Sequence, residues 1–150
     1  MNKNNTKILL EDLQPSHFEQ EFLFIDTNIL VLAHNNSTFF KQVLIPLKQN
    51  PNCVLLTIPS VVFEFTRGSD SIIQYNNKHK LVNQIFENIW PVEKFLSEIN
   101  EFTLVLHKTS PKMQYTDFLL CVALHKFPGR AVVMTQNHHD FAGQIGRAHV

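Results

Sequence analysis

The chain has 150 residues, of which 44% are hydrophobic and 17% are charged, and its formal net charge at pH 7 is zero. This length predicts one domain, and the composition excludes a disordered chain. Because the net charge is zero, the chain as a whole does not attract nucleic acid or anionic membranes strongly. Such a partner would have to bind a local charged patch.

Four short apolar runs in chain order are predicted to be strands. They are FLFI (22–25), CVLLTI (53–58), FTLVLH (102–107) and AVVMT (131–135). Most of these runs are too continuously apolar to bury only one face, and strands of this kind are typical of a covered parallel sheet.

The segments between the strands are long enough for crossover helices. Helices are predicted over 28–49, 59–67, 71–89 and 92–100, and over a segment that begins at 111 or 116 and ends at 127. Strands that alternate with helices predict an α/β fold with right-handed crossovers. Residues 1–21 are predicted to be an extension outside the sheet, and the folded domain is placed at 22–143.

Membrane insertion and export are not predicted. No window reaches the ~18 apolar residues of a membrane span, and the N-terminus lacks a hydrophobic segment of signal-peptide length. Cys53 and Cys121 lie within apolar runs and are predicted to be reduced core thiols. Both observations favour a cytoplasmic protein.

Acidic residues recur where the predicted strands and helices begin or end. Asp26 directly follows the first strand, Glu64 lies in the helix after the second, Asp117 is near the start of the last helix, and Asn137 and Asp140 follow the last strand. Ligands of open parallel sheets bind beyond the carboxyl ends of the strands. Carboxylates that converge there repel one another unless a cation neutralises them, and oxygen ligands favour Mg²⁺ or Mn²⁺ over zinc.

Each acid also has a structural explanation that does not require a site. Asp26 could cap the helix that begins at Thr27, and Glu64 could be an ordinary exposed helical residue. Asp117 would interact favourably with the helix dipole whatever its function, and Asp140 could be a loop residue. The order of all four at strand and helix ends favours a shared site.

Four motifs in order resemble the PIN-domain ribonucleases, a family that includes the VapC toxins of bacterial toxin–antitoxin pairs. They are FIDTNILV, EFTRG, YTDFLLCVAL and VVMTQNHHDF, and the resemblance spans about 22–141. It implies a three-layer α/β/α fold with a mostly parallel sheet of four to five strands. It also implies hydrolysis of phosphodiester bonds in single-stranded or structured RNA with Mg²⁺ or Mn²⁺ as cofactor.

Carried over by position, the resemblance implies that Asp26, Glu64 and Asp117 are catalytic metal ligands. The fourth ligand position falls to Asn137 or to Asp140, and Asp140 would supply the fourth catalytic charge. The supporting polar residues would be Asn28 and Thr135. Cations that could contact the RNA backbone, each also typical of a solvated surface, are Arg67, Lys78, Lys80, Lys108 and Lys112.

The implied partners are RNA and, for a toxin, an antitoxin protein, and a homodimer is left open. A non-catalytic PIN-like RNA-binding module is the alternative, favoured by the asparagine at 137 and opposed by the three retained acids. A phosphatase with an aspartate nucleophile usually needs a second aspartate two residues after the first, where this chain has Asn28.

The tail QIGRAHV back-translates, with permitted codons, to a sequence that resembles a common short-read sequencing adapter. Residues 144–150 are therefore predicted not to be native, and they are excluded from the site. The family resemblance instead predicts one more short native strand after Phe141.

Overall fold

The computed structural model describes residues 22–95, 100–101, 113–127 and 129–136, together with the backbone of 147–149. Several sequence predictions fall outside these residues. They concern the extension over 1–21, the strand over 102–107, and the candidate site residues Lys108, Lys112, Asn137 and Asp140.

A parallel sheet forms the centre of the fold. β1 (Phe22–Ile25) pairs in parallel with β2 (Val54–Leu56) on one side and with β3 (Ala131–Met134) on the other. Leu23 and Phe24 are both fully buried although consecutive side chains of a strand point to opposite faces. Both faces of β1 are therefore covered, and the predicted α/β class with a parallel sheet is confirmed.

The edge strand β4 (Arg147–His149) pairs in parallel with β3. It is formed by the tail that is predicted not to be native, and the predicted strand over 102–107 lies outside the described residues. The predicted count of four to five strands is therefore not confirmed for the native sheet.

The segment predicted as one helix over 28–49 is helical but interrupted. Asn36 has an extended backbone, with φ of -134° and ψ of 96°. Its side-chain oxygen accepts a hydrogen bond from Phe39 N at 3.0 Å, so Asn36 ends one helix and caps the next. The segment comprises α1 (Thr27–Asn35), α2 (Ser37–Phe39), a π-helical part (Phe40–Leu44) and α3 (Ile45–Gln49).

The next helix, α4 (Pro59–Arg67), has the predicted bounds, with proline at its first position. α5 (Ile72–Ile85) is shorter than the predicted 71–89, because Phe86 turns to an extended backbone with φ of -108° and ψ of 130°. The last described helices are a 3-10 turn (Val92–Lys94) within the predicted 92–100 and α6 (Tyr115–Lys126) within the last predicted helix.

The core contains both cysteines, which are buried and free, as predicted. Burial raises the pKa of the Cys53 thiol to about 11, and a protonated thiol is a poor nucleophile. In the part of the chain that the structure describes, no helix combines the length and the hydropathy needed to cross a membrane.

The turn between α6 and β3 requires glycine at one position. Gly129 has a φ of 77°, whereas Gly68 at the end of α4 has a φ of -83°, and a Cβ would meet no atom at either position. Gly129→Ala should therefore lower the free energy of unfolding by about 1–2 kcal/mol through backbone strain alone. Gly68→Ala, the matched control, should be neutral or raise it by about 0.4–1 kcal/mol. Urea unfolding checks both values, and equal effects of the two substitutions would contradict the explanation.

Candidate functional site

Asp26 lies at the carboxyl end of β1 and begins α1. Its backbone N–H donates to Met134 O at 3.1 Å, which continues the sheet pairing to this residue. Its Oδ1 accepts a hydrogen bond from Thr27 N at 2.7 Å, so Asp26 caps α1. The capping explanation and a role in a site are therefore compatible, because one carboxylate oxygen caps the helix and Oδ2 is left for other contacts.

The Oδ2 atom of Asp26 contacts two polar side chains. Thr135 Oγ1 donates to it at 2.7 Å and Asn28 Nδ2 donates at 3.3 Å. Asn28 also donates to Thr135 Oγ1 at 3.2 Å and accepts from Gln136 N at 2.9 Å. Asn28 and Thr135, predicted as supporting polar residues, thus surround Asp26 and fix the orientation of its carboxylate.

Glu64 is half-buried on α4, and each of its carboxylate oxygens accepts a hydrogen bond from a hydroxyl group. Thr27 Oγ1 donates to Oε2 at 2.9 Å, and Thr116 Oγ1 donates to Oε1 at 2.5 Å. Sequence reasoning did not identify either threonine. The available signal was their position, since each is the immediate neighbour of a candidate acid, Asp26 or Asp117.

Asp117 lies in the first turn of α6 and is 8% exposed. It lines a cleft of about 540 Å³ together with Asp26 and Glu64. The chain therefore brings together three acids from β1, α4 and α6 that are far apart in sequence.

Burial makes the ionised form of Asp26 costly. Asp26 is 4% exposed, and its pKa is raised above 3.8, first by desolvation and further by the negative charge of Glu64. Hydrogen bonds from Thr135, Thr27 and Asn28 lower the pKa but do not reverse the direction. The carboxylate is thus held in place by donors, in surroundings where added positive charge would be favourable.

This electrostatic cost predicts a pH-dependent effect of Asp26→Asn on stability. With the pKa raised in the folded state, folded protein binds more protons than unfolded protein between pH 3.8 and the raised pKa, so stability falls as pH rises through that interval. The asparagine variant has no carboxyl group at this position, so its stability does not fall in this way as the pH rises. In metal-free buffer at pH 7 it should be more stable than the parent, and this advantage should shrink as the pH falls and vanish below pH 3.8. Urea unfolding at several pH values checks this, and an advantage that does not change with pH would contradict it.

The donor atoms fit a hard divalent cation. The cleft offers carboxylate oxygens from Asp26, Glu64 and Asp117, and the buried cysteines lie elsewhere. Within the described residues, no three His, Cys, Asp or Glu side chains are close enough to enclose an ion, while Asn137 and Asp140 fall outside that part. Mg²⁺ usually keeps several water ligands and is bound through one or two carboxylates, so a partial protein shell suits it.

The described cations predicted to contact RNA lie away from the cleft lining. Lys78 differs from its expected surface position, because it is 8% exposed and its Nζ lies 5.2 Å from the Phe65 ring centroid. Little of the Lys78 side chain is therefore exposed to solvent. Arg67 lies over the Phe63 ring at 5.7 Å, and both Arg67 and Lys80 are exposed.

A parallel sheet with an acidic cleft built from β1, α4 and α6 is consistent with a PIN-like α/β fold. No protein-family model and no curated protein matches the sequence. Among solved structures, the chain is similar to a chain in the crystal structure of VapBC2 from Rickettsia felis bound to a DNA fragment from their promoter. The identity is 17% and the TM-score 0.66, and the similarity covers 85% of this chain and 96% of that chain. At this identity the similarity is evidence for the fold alone.

Proposed function

We propose that this chain is a Mg²⁺- or Mn²⁺-dependent endoribonuclease of the PIN type. The observation that carries the proposal is the shared cleft of Asp26, Glu64 and Asp117, in which a desolvated carboxylate faces a second negative charge. Two negative charges in a desolvated cleft repel each other when the cleft is empty, and a bound cation would neutralise them. Such a cleft is therefore expected in a protein whose functional state includes a cation.

Some side chains of the cleft would bind the cation, and others orient the carboxylates that bind it. Asp26 and Glu64 would hold it directly, Asp117 on the same cleft would reach it through a water ligand, and Asn137 or Asp140 would be the further ligand. When bound, the cation would neutralise the phosphate and activate water for hydrolysis of the phosphodiester bond. Asn28 and Thr135 hold Asp26, and the two threonine hydroxyls hold Glu64, so these carboxylates do not have to be reoriented when substrate binds.

The composition of the cleft favours a single-stranded RNA segment as substrate. Within the part of the chain that the structure describes, the lining includes the carboxamides of Gln114 and Gln136 and the apolar side chains of Val31 and Leu32, but no basic side chain. Carboxamides and apolar surfaces suit unpaired bases. Contacts to the phosphates would come from outside the cleft, with Arg67, Lys80, Lys108 and Lys112 as the candidates.

We further propose a role as the toxin of a type II toxin–antitoxin pair in the cytoplasm, on the basis of the motifs that resemble the VapC toxins and of the fold shared with a chain of a VapBC2 structure. The partner would be an antitoxin protein, and a homodimer is compatible with the role. Induced expression of the parent in bacteria should arrest growth, and expression of Asp26→Asn should not. Equal growth with both would contradict the toxin role and leave the nuclease proposal to be tested separately.

Cleavage of a labelled single-stranded RNA by the purified protein tests the nuclease. The parent and Asp70→Asn, which loses an exposed acid outside the cleft lining, should cleave with Mg²⁺ or Mn²⁺ and stop when EDTA is added. A parent that binds RNA without cleaving it under any of these conditions would contradict the proposal and support the non-catalytic RNA-binding module.

A further inference from the structure

We propose that Thr116 is a positioning residue that orients Glu64 for cation binding, an inference that rests on the proposed function. Thr116 is 5% exposed, and its hydroxyl donates to Glu64 Oε1 at 2.5 Å across the cleft. It is the residue directly before Asp117. One hydrogen bond therefore links the start of α6, which carries the third acid, to the helix that carries the second.

The hydroxyl of Thr116 is used differently from that of an ordinary helical threonine. Thr66, within α4, donates to the carbonyl of Val62 four residues earlier at 2.9 Å, as threonine hydroxyls commonly do in helices. Thr116 is in the first turn of α6 and instead donates to a side chain 52 residues away in sequence. The contact therefore contributes to the site rather than to the local geometry of its own helix.

The geometry at Glu64 explains why this donor matters for a ligand. Thr116 donates to one carboxylate oxygen and Thr27 to the other, so the plane of the group is fixed from two sides. Each oxygen keeps lone pairs that these bonds do not use. A flexible side chain is thus presented to the cleft as an oriented oxygen ligand, and removal of Thr116 Oγ1 would leave it held by Thr27 alone.

Thr116→Val, which keeps the shape but removes the hydroxyl, tests the inference, with Thr116→Ser as the rescue. Thr66→Val is the matched control, because Thr66 is 6% exposed and lies outside the cleft lining. Calorimetric titration with Mn²⁺ should give a Kd weakened roughly 10- to 100-fold for Thr116→Val, the range typical of residues that orient metal ligands. Thr116→Ser and Thr66→Val should keep the parent's affinity.

Steady-state cleavage provides a second measurement. For Thr116→Val, the Mn²⁺ concentration at half-maximal rate should rise by the same factor, while the KM for RNA at saturating Mn²⁺ should stay at the parent's value. Circular dichroism confirms folding, and Thr116→Ala replaces the valine variant if that variant is unfolded. A serine variant as weak as the valine variant would overturn the inference, because the methyl group and not the hydroxyl would then be responsible.

The remaining outcomes separate the inference from the proposed function. A parent that binds Mn²⁺ and cleaves RNA, with a Thr116→Val variant of equal affinity, would overturn only the positioning role. An equal loss in Thr66→Val would also overturn it, because general destabilisation would explain the result. A parent that neither binds Mn²⁺ nor cleaves RNA would overturn both proposals.

Discussion

Replacement of Asp26 by asparagine is expected to lower Mn²⁺-dependent RNA cleavage by more than about 100-fold, beyond the loss typical of residues that only orient a metal ligand. Asparagine keeps the shape of the side chain and one carbonyl oxygen, which can still accept from Thr27 N. It removes one negative charge from a cleft that also contains Glu64 and Asp117. The fold should be retained, because β1 and the cap of α1 do not require that charge.

The measurement is the initial rate of cleavage of one RNA by parent, Asp26→Asn and Asp70→Asn at equal concentration. Asp70→Asn removes the same charge from an exposed position outside the cleft lining and should keep the parent's rate. An Asp26→Asn rate within threefold of the parent's would exclude Asp26 as a metal ligand. An equal decrease in both variants would assign the effect to net charge and not to the site.

Mn²⁺ is expected to stabilise the folded parent strongly, because the cation binds a site that exists only when β1, α4 and α6 are assembled. At a free concentration one hundred times its Kd, a ligand specific for the folded state adds about 2.7 kcal/mol to the free energy of unfolding. For a chain of 150 residues, this corresponds to a rise in Tm of roughly 5–10 °C. Asp26→Asn and Glu64→Gln should lose most of this rise, and Asp70→Asn should keep it.

Thermal unfolding with and without Mn²⁺, followed by circular dichroism, measures these shifts. In metal-free buffer Asp26→Asn should melt above the parent at pH 7, and with Mn²⁺ the order should reverse. This reversal distinguishes a metal ligand from a residue that is merely unfavourable in the fold. Equal Mn²⁺ shifts in the parent and both cleft variants would show that the ion binds elsewhere.

The sequence predicted those strands and helices whose buried residues can be identified from the local pattern of apolar and polar residues. The run FLFI predicts a strand covered on both faces, and α4 begins at Pro59 and ends at Arg67, as its flanking residues indicate. The position of Asp26 at the end of β1 follows from the same pattern. The break at Asn36 was missed because its extended conformation, stabilised by the side-chain hydrogen bond to Phe39 N, competes with helix propensity.

Contacts between distant segments limited the prediction of the site. Thr27 and Thr116 contact Glu64 across sequence separations of 37 and 52 residues, and their position beside Asp26 and Asp117 indicates that they lie near the site but not that they contact Glu64. Lys78 is different, because it shares a helix face with Leu81, Val82 and Ile85, which are all buried. That spacing of three, four and seven residues could have predicted its burial.

The most direct test of the cation site is a crystal structure of the parent grown with Mn²⁺, with anomalous diffraction used to locate the ion. We expect an anomalous peak within coordination distance of carboxylate oxygens of Asp26 and Glu64, on the side of the cleft that Asp117 also lines. A fully ordered cleft without a peak, or Mn²⁺ bound only at other acids, would contradict the assignment of these residues as a cation site.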